Sequence, residues 1–194
     1  MTYTPLAYNT ASIEGVDVNA VYTPATTTAT GYVPEYPAPP FVAGTVSAAG
    51  NNVSAWVFAQ AGAAVVSKGD VVVLSTANAA SSITSTIAAT AGFGMQLGVA
   101  MATATTAQFL WVQTRGQNQY IGIVAGSTAG VPLYTIATAG KITSTGATGS
   151  NYNVYGIVLF TAASTTNAYA PGNLTSIELG LTATGTYGLS ANAF

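Results

Sequence analysis

The chain has 194 residues, 49% of them hydrophobic and only 4% charged, with three Lys or Arg against five Asp or Glu, a net charge of -2, no His and no Cys. Typical chains carry about 25% charged residues, so the outside of this one has to be built from Thr, Ser, Asn, Gln, Ala and Gly. Histidine triads, thiolate chemistry and disulfides are excluded, and the three cations, Lys68, Arg115 and Lys141, are too scattered to bind a nucleic-acid backbone. The uncharged stretch from Val71 to Thr114 is broken throughout by Ser, Thr and Gly, so no membrane span is expected. The opening "MTYTPLAYNT" has neither a basic n-region nor an apolar h-region, so no secretory signal peptide is expected.

Residues 1–46 read as an extended N-terminal arm, and 47–194 as a β-rich body. Five of the eight prolines fall between Pro24 and Pro40, in "TPATTTATGYVPEYPAPP". Proline fixes φ, removes a donor and pushes its predecessor towards extended geometry, so the segment is expected to be partly polyproline II. It also carries Tyr3, Tyr8, Tyr22, Tyr32, Tyr36 and Phe41. Disordered tails are poor in aromatics, which favours an arm that orders against a partner over a disordered tail.

From residue 47 onward, short Val/Ile/Thr/aromatic runs recur between Gly, Asn and Ser clusters. Strands are predicted near 53–58, 63–66, 70–75, 95–103, 108–115, 119–125, 132–136, 140–143, 154–161 and 174–182. "SSITSTIAATAG" at 81–92 has apolar spacing compatible with a helix, set against a high Ser/Thr content. A weak internal repeat is also present. "KGDVVVLST" followed by "GVAMATATTAQ" matches "AGVPLYTIATAG" followed by "GIVLFTAASTTNA", with similar offsets from Gly69 to Gly98 and from Gly130 to Gly156. Either Thr-Ala bias or a true duplication would produce it, and a duplication would suggest a small closed barrel of two related halves.

"QFLWVQTRGQNQYIGIV", residues 108–124, reads as a hairpin turning at "RGQNQ". Phe109, Trp111, Gln113 and Arg115 share one face, and Leu110, Val112 and Thr114 the other. Both faces begin apolar, as in a strand covered on both sides. One face is therefore expected in the core, and the other under the protein's own arm or a neighbouring copy. Arg115 is open to three readings: an exposed turn residue, an anchor across a subunit contact, or an intramolecular pair with Asp70 or Glu178. Residues 1–62 hold three acids and no base, -3, and residues 63–194 hold three bases and two acids, +1, which favours an acidic arm crossing a faintly basic body.

No constellation points to catalysis. Ser67 and Lys68 are neighbours whose side chains would leave a strand on opposite faces. Glu14 and Asp17 lie in the arm. "GFGMQLG" at 92–98 lacks the third glycine and the βαβ setting of a dinucleotide loop. No carboxylate cluster suggests a metal. The pattern Asn-X-Ser/Thr at Asn52 and Asn173 is read as chance. No enzyme activity, cofactor, metal or small-molecule substrate is therefore expected.

"KGDVVVLST", "LGVAMAT", "FLWVQTRGQ", "GVPLYTIATAGKITSTG", "YGIVLFTA" and "IELGL", in that order over roughly residues 63–182, resemble the decoration, or cement, proteins of tailed-bacteriophage heads. The resemblance implies an all-β body, a small barrel or sandwich with an extended arm. It implies a non-catalytic virion protein on the capsid exterior that clamps neighbouring major capsid protein subunits, often as a homotrimer. Production in the host cytoplasm goes with that role. The residues expected at its interfaces are Tyr22, Tyr32, Tyr36, Pro39, Pro40, Phe41, Phe109, Trp111 and Arg115. The alternatives are another self-assembling β protein (a tail, fibre or surface-layer subunit) and a carbohydrate-binding module in which exposed Trp56 and Trp111 stack on sugars.

Overall fold

Alternation of apolar residues along short, β-branched runs makes strands the only way for most of this chain to bury one face at a time. A computed structural model describes residues 17–23, 41–49, 54–62, 64–91, 95–145, 151–164 and 168–182. The strands are β1 (Val46–Ala49), β2 (Ser54–Ala61), β3 (Val71–Leu74), β4 (Ala79–Ser82), β5 (Leu97–Ala100), β6 (Phe109–Gly122), β7 (Leu133–Thr135), β8 (Ile142–Thr143), β9 (Tyr152–Leu159) and β10 (Tyr169–Thr182). Among the described residues one short helix, α1 (Ser85–Ala91), stands between β4 and β5. The protein is all-β, as expected.

The strands form one 10-stranded sheet whose pairings close on themselves twice. In the first ring β2 pairs with β4 in parallel, and β4 with β3, β3 with β5, β5 with β6 and β6 with β2, all antiparallel. In the second ring the end of β6 meets β8 in parallel through the bridge Ile123–Ile142. β8 then pairs with β7, β7 with β9, β9 with β10 and β10 with β6, all antiparallel. The order and the orientations are the same in both rings, and β6 is the strand they share. The weak repeat read from the sequence is thus a repeat of topology. The expected single barrel of two halves is instead two linked rings, one per half.

The correspondence extends to individual hydrogen bonds. Met101 N–H donates to the Trp111 carbonyl at 3.0 Å in the first ring, and Phe160 N–H to the Pro171 carbonyl at 2.9 Å in the second. Ala104 N–H donates to Val66 carbonyl at 2.8 Å, and Ala163 N–H to Ser127 carbonyl at 2.8 Å. The register pairs Val99–Gln113 and Ala100–Val112 correspond to Val158–Asn173 and Leu159–Gly172.

Three apolar clusters follow. Val57, Ala59, Ala61, Val72, Leu74, Ala80, Ala100, Leu110 and Val112 fill the first ring. The small residues fit a narrow interior: a Cβ on Gly98 would collide with the Val112 side chain. The second cluster joins Ile121, Ile123, Leu133, Ile142, Val154, Ile157, Leu159 and Leu174 to Val71, Val73, Leu97 and Val99, on the outer face of β3 and β5. The second half therefore seals that outer face of the first. The third cluster, on the outer face of β2 and β6, is aromatic.

Several local expectations are corrected. No hairpin turns at "RGQNQ": β6 runs straight through, pairing first with β2 and then with β10. Gly116 takes φ +98° within the strand. The carbonyls this irregularity displaces are recovered by a buried amide, since Gln113 Nε2 donates to the Arg115 carbonyl at 3.0 Å and to the Gln117 carbonyl at 3.1 Å. Asn118 Nδ2 in turn donates to Gln113 Oε1 at 2.8 Å. The strand expected at 63–66 is reduced to an isolated bridge at Val66. β4, "AASS", falls partly in the stretch read as helical, because it lacks β-branched residues and owes its extension to β3. β1 begins inside the span read as arm.

Candidate functional site

Trp56 and Phe58 alternate with inward-facing Val57 and Ala59 on β2, just as Phe109 and Trp111 alternate with Leu110 and Val112 on β6. Antiparallel pairing sets Phe58 opposite Trp111, and period-two geometry puts all four aromatics on one outer face. Phe58 stacks on Phe109, with centroids 5.4 Å apart and planes 12° apart, and lies 5.1 Å from Trp111.

That face is covered by the chain's own N-terminal residues. A turn at 17–20 is fixed by Asp17, whose carboxylate accepts from Asn19 N–H at 2.8 Å, and it places Val18 in the aromatic cluster. Tyr22 then pairs with Phe109, and Gln108 Nε2 donates to Thr23 Oγ1 at 2.8 Å. Phe41 completes the cover, edge-on to Tyr22, Phe58 and Trp111 at 6.5, 5.5 and 5.4 Å. Next to it, Gly44 N–H donates to the Phe58 carbonyl at 2.7 Å and Phe58 N–H to the Thr45 carbonyl at 2.8 Å.

Of the residues expected to meet a partner, Tyr22, Phe41, Phe109 and Trp111 are thus brought together, but by one another. Trp111 is fully buried and Trp56 is 9% exposed, which removes both as platforms for sugar stacking. Tyr32, Tyr36, Pro39 and Pro40 lie outside the described residues. Arg115 is exposed in mid-strand, opposite Ala55 and Thr175, at the point where β6 passes from β2 to β10. It is not at a turn, and no described carboxylate pairs with it. Its candidate partner Asp70 is committed elsewhere. Phe58, the centre of the cluster, was not singled out from the sequence, although the alternation in "WVFA" carries the same signal as "FLWV".

The aromatic cluster has one polar anomaly. The indole Nε1 atoms of Trp56 and Trp111 are both buried with no hydrogen-bond partner. A buried unpaired donor costs about 1–3 kcal/mol, a cost that the surrounding aromatic burial has to offset.

A second polar group lies where the two halves meet. The Asp70 carboxylate accepts from Ser82 Oγ at 2.8 Å and from Ser67 N–H at 2.9 Å. Lys141 Nζ is 4.0 Å from its other oxygen, 3.7 Å from the centroid of the Tyr169 ring, and donates to the Ala168 carbonyl at 3.3 Å. Lys68 sits over Tyr120 at 5.4 Å. With one carboxylate and no nucleophile–base pair, this group fits a clamp between halves. Among the described residues no cluster of His, Cys, Asp or Glu could hold a metal, and no helix is long and apolar enough to cross a membrane.

Compared with family models, with curated proteins and with solved structures, the chain matches none.

Proposed function

We propose that the protein is a non-catalytic structural component of a bacteriophage virion, binding the outside of the capsid and stabilising contacts between major capsid protein subunits. The observation that carries this reading is an all-β surface almost without formal charge. Among the described side chains the charged groups are Asp17, Lys68, Asp70, Arg115 and Lys141, and Asp70 and Lys141 are occupied with each other. Such a surface gives little long-range repulsion between copies and little desolvation cost when pressed against a shell. Weak contacts repeated over many copies then add to a tight lattice. Self-association, including the trimer that the resemblance implies, belongs to the same proposal.

The cover formed by Tyr22 and Phe41 changes where the contacts would come from. These two side chains are spent on the body, so among the described residues the clamp would use the body's outer surface and Arg115 rather than these two rings. The test is co-sedimentation with empty shells of the major capsid protein from the same virus. Saturable binding at a fixed stoichiometry, with a raised disruption temperature of the shell, is the expected result. No binding at micromolar concentration overturns the proposal. A self-polymerising tail, fibre or surface-layer subunit is the second reading, favoured by the exposed apolar side chains on β9. Unlimited growth in light scattering by the protein alone would select it.

A further inference from the structure

The two halves have the same topology but not the same cover. In the first half the outer face of β5 carries Leu97 and Val99, both fully buried because the second half packs on them. Beyond them Met101 joins the aromatic cluster under residues 18–22 and Phe41. The register sets Val158 where Val99 stands, and Phe160 where Met101 stands. Both equivalents are bare: Val158 is 54% exposed and Phe160 49%, with Tyr155 at 43% further along the same strand face. Three large apolar side chains along β9 and the residue that follows it, with no described charge on β9 or β7, form a patch of the kind that marks an interaction surface.

We infer that this outer face of β9 is a self-association surface that a second copy of the chain covers. Two observations choose that occupant. The group that seals Val99 in the first half is another unit of this same fold, so the structure already contains one example of the contact. The residues that cover Met101 are available once per chain, and the Tyr22–Phe109 pairing has already used them in the first half. Among the described residues no second such cover is left for Phe160. A net charge of -2 offers little opposition to bringing copies together. The inference does not depend on binding to a shell, and its test uses the protein alone.

The experiment is sedimentation of the full chain from about 1 μM to about 1 mM, for the wild type and for V158K, F160K and V42K. Val42 is 81% exposed on the other half and serves as the control. Concentration-dependent dimers or larger oligomers are expected, weakened by roughly 10-fold or more in V158K and F160K, as for a central contact, and unchanged in V42K. A second readout avoids placing a charge on the strand. The chain has no cysteine, so V158C and V42C each carry a single thiol. Maleimide labelling of V158C should slow as protein concentration rises, and labelling of V42C should not. A monomer throughout the range overturns the inference. So does an oligomer indifferent to both β9 variants, or thiol protection at Val158 that is independent of concentration, which would mean that the chain covers its own face.

Discussion

Tyr22 and Phe109 exchange both of their backbone hydrogen bonds, Tyr22 N–H to Phe109 carbonyl at 2.9 Å and Phe109 N–H to Tyr22 carbonyl at 2.7 Å. This single antiparallel bridge joins residues 87 positions apart in the sequence, and it makes residues 17–23 part of the body. Side chains on either side of the bridge complete the aromatic cluster, so the cover is a packing element as much as a pairing one.

The first prediction follows from that bridge. Y22A and F41A each remove a half-buried ring from the Phe58–Trp111 cluster and should cost about 1–3 kcal/mol, below the range for a fully buried aromatic. Urea unfolding should show a lower midpoint at unchanged slope. Iodide quenching should also rise in the folded variants, because Trp111 loses its cover. Equal quenching in wild type and variants would mean that the cover is not formed in solution.

The unpaired indoles give a second. W111F removes the buried donor while keeping most of the ring, so it should cost clearly less than W111A, for which about 3–5 kcal/mol is expected. If W111F costs more than its lost ring volume accounts for, the substitution has stranded a partner and the indole N–H is paired in solution. Denaturant midpoints measure both.

The Asp70–Lys141 clamp gives an ordered pair. D70A strands the Ser82 hydroxyl and the Ser67 N–H and takes the carboxylate away from the ammonium of Lys141, whose side chain is only 13% exposed. About 3–5 kcal/mol is expected, as for breaking a buried pair. K141M leaves Asp70 its two hydrogen bonds and should cost less. At 4.0 Å the lysine is beyond hydrogen-bond reach, so its attraction to Asp70 is Coulombic. The reverse order would show that the lysine, not the carboxylate, holds the halves together.

Gly140 supplies a fourth. It has φ +70°, and a Cβ there would collide with the Asp70 carboxyl. Gly126 has φ +79° with open space around it. G126A should cost about 1–2 kcal/mol for the left-handed backbone alone, while G140A adds overpacking of about 1–3 kcal/mol. Thermal unfolding of the two variants compares strain with and without a clash.

Much of the local structure was legible in the residues. The faces of β6 followed from the alternation of Phe109 and Trp111 with Leu110 and Val112, and the repeat was visible in the spacing of Gly69 and Gly130, both of which take positive φ, +85° and +69°. The candidate site was legible as a set of aromatics but not as a closed set. Nothing near Tyr22 or Phe41 says whether the surface they cover belongs to the same chain. "RGQNQ" carries the residues of a turn and becomes a strand, since its backbone groups find partners on β10, residues 172–175, before a local turn can claim them.

By itself the sequence determined that this chain would be built mainly of strands and be nearly without charge, because side-chain alternation and ionic content are properties of neighbouring residues. Only the tertiary structure decided that β6 would serve two rings at once, that Tyr22 and Phe41 would cover the chain's own aromatics, and that Val158 would stay bare where Val99 is buried. Each of those outcomes depends on pairing between residues far apart in the chain. The register that brings them together is set by burying whole faces at once, not by any residue's local preference.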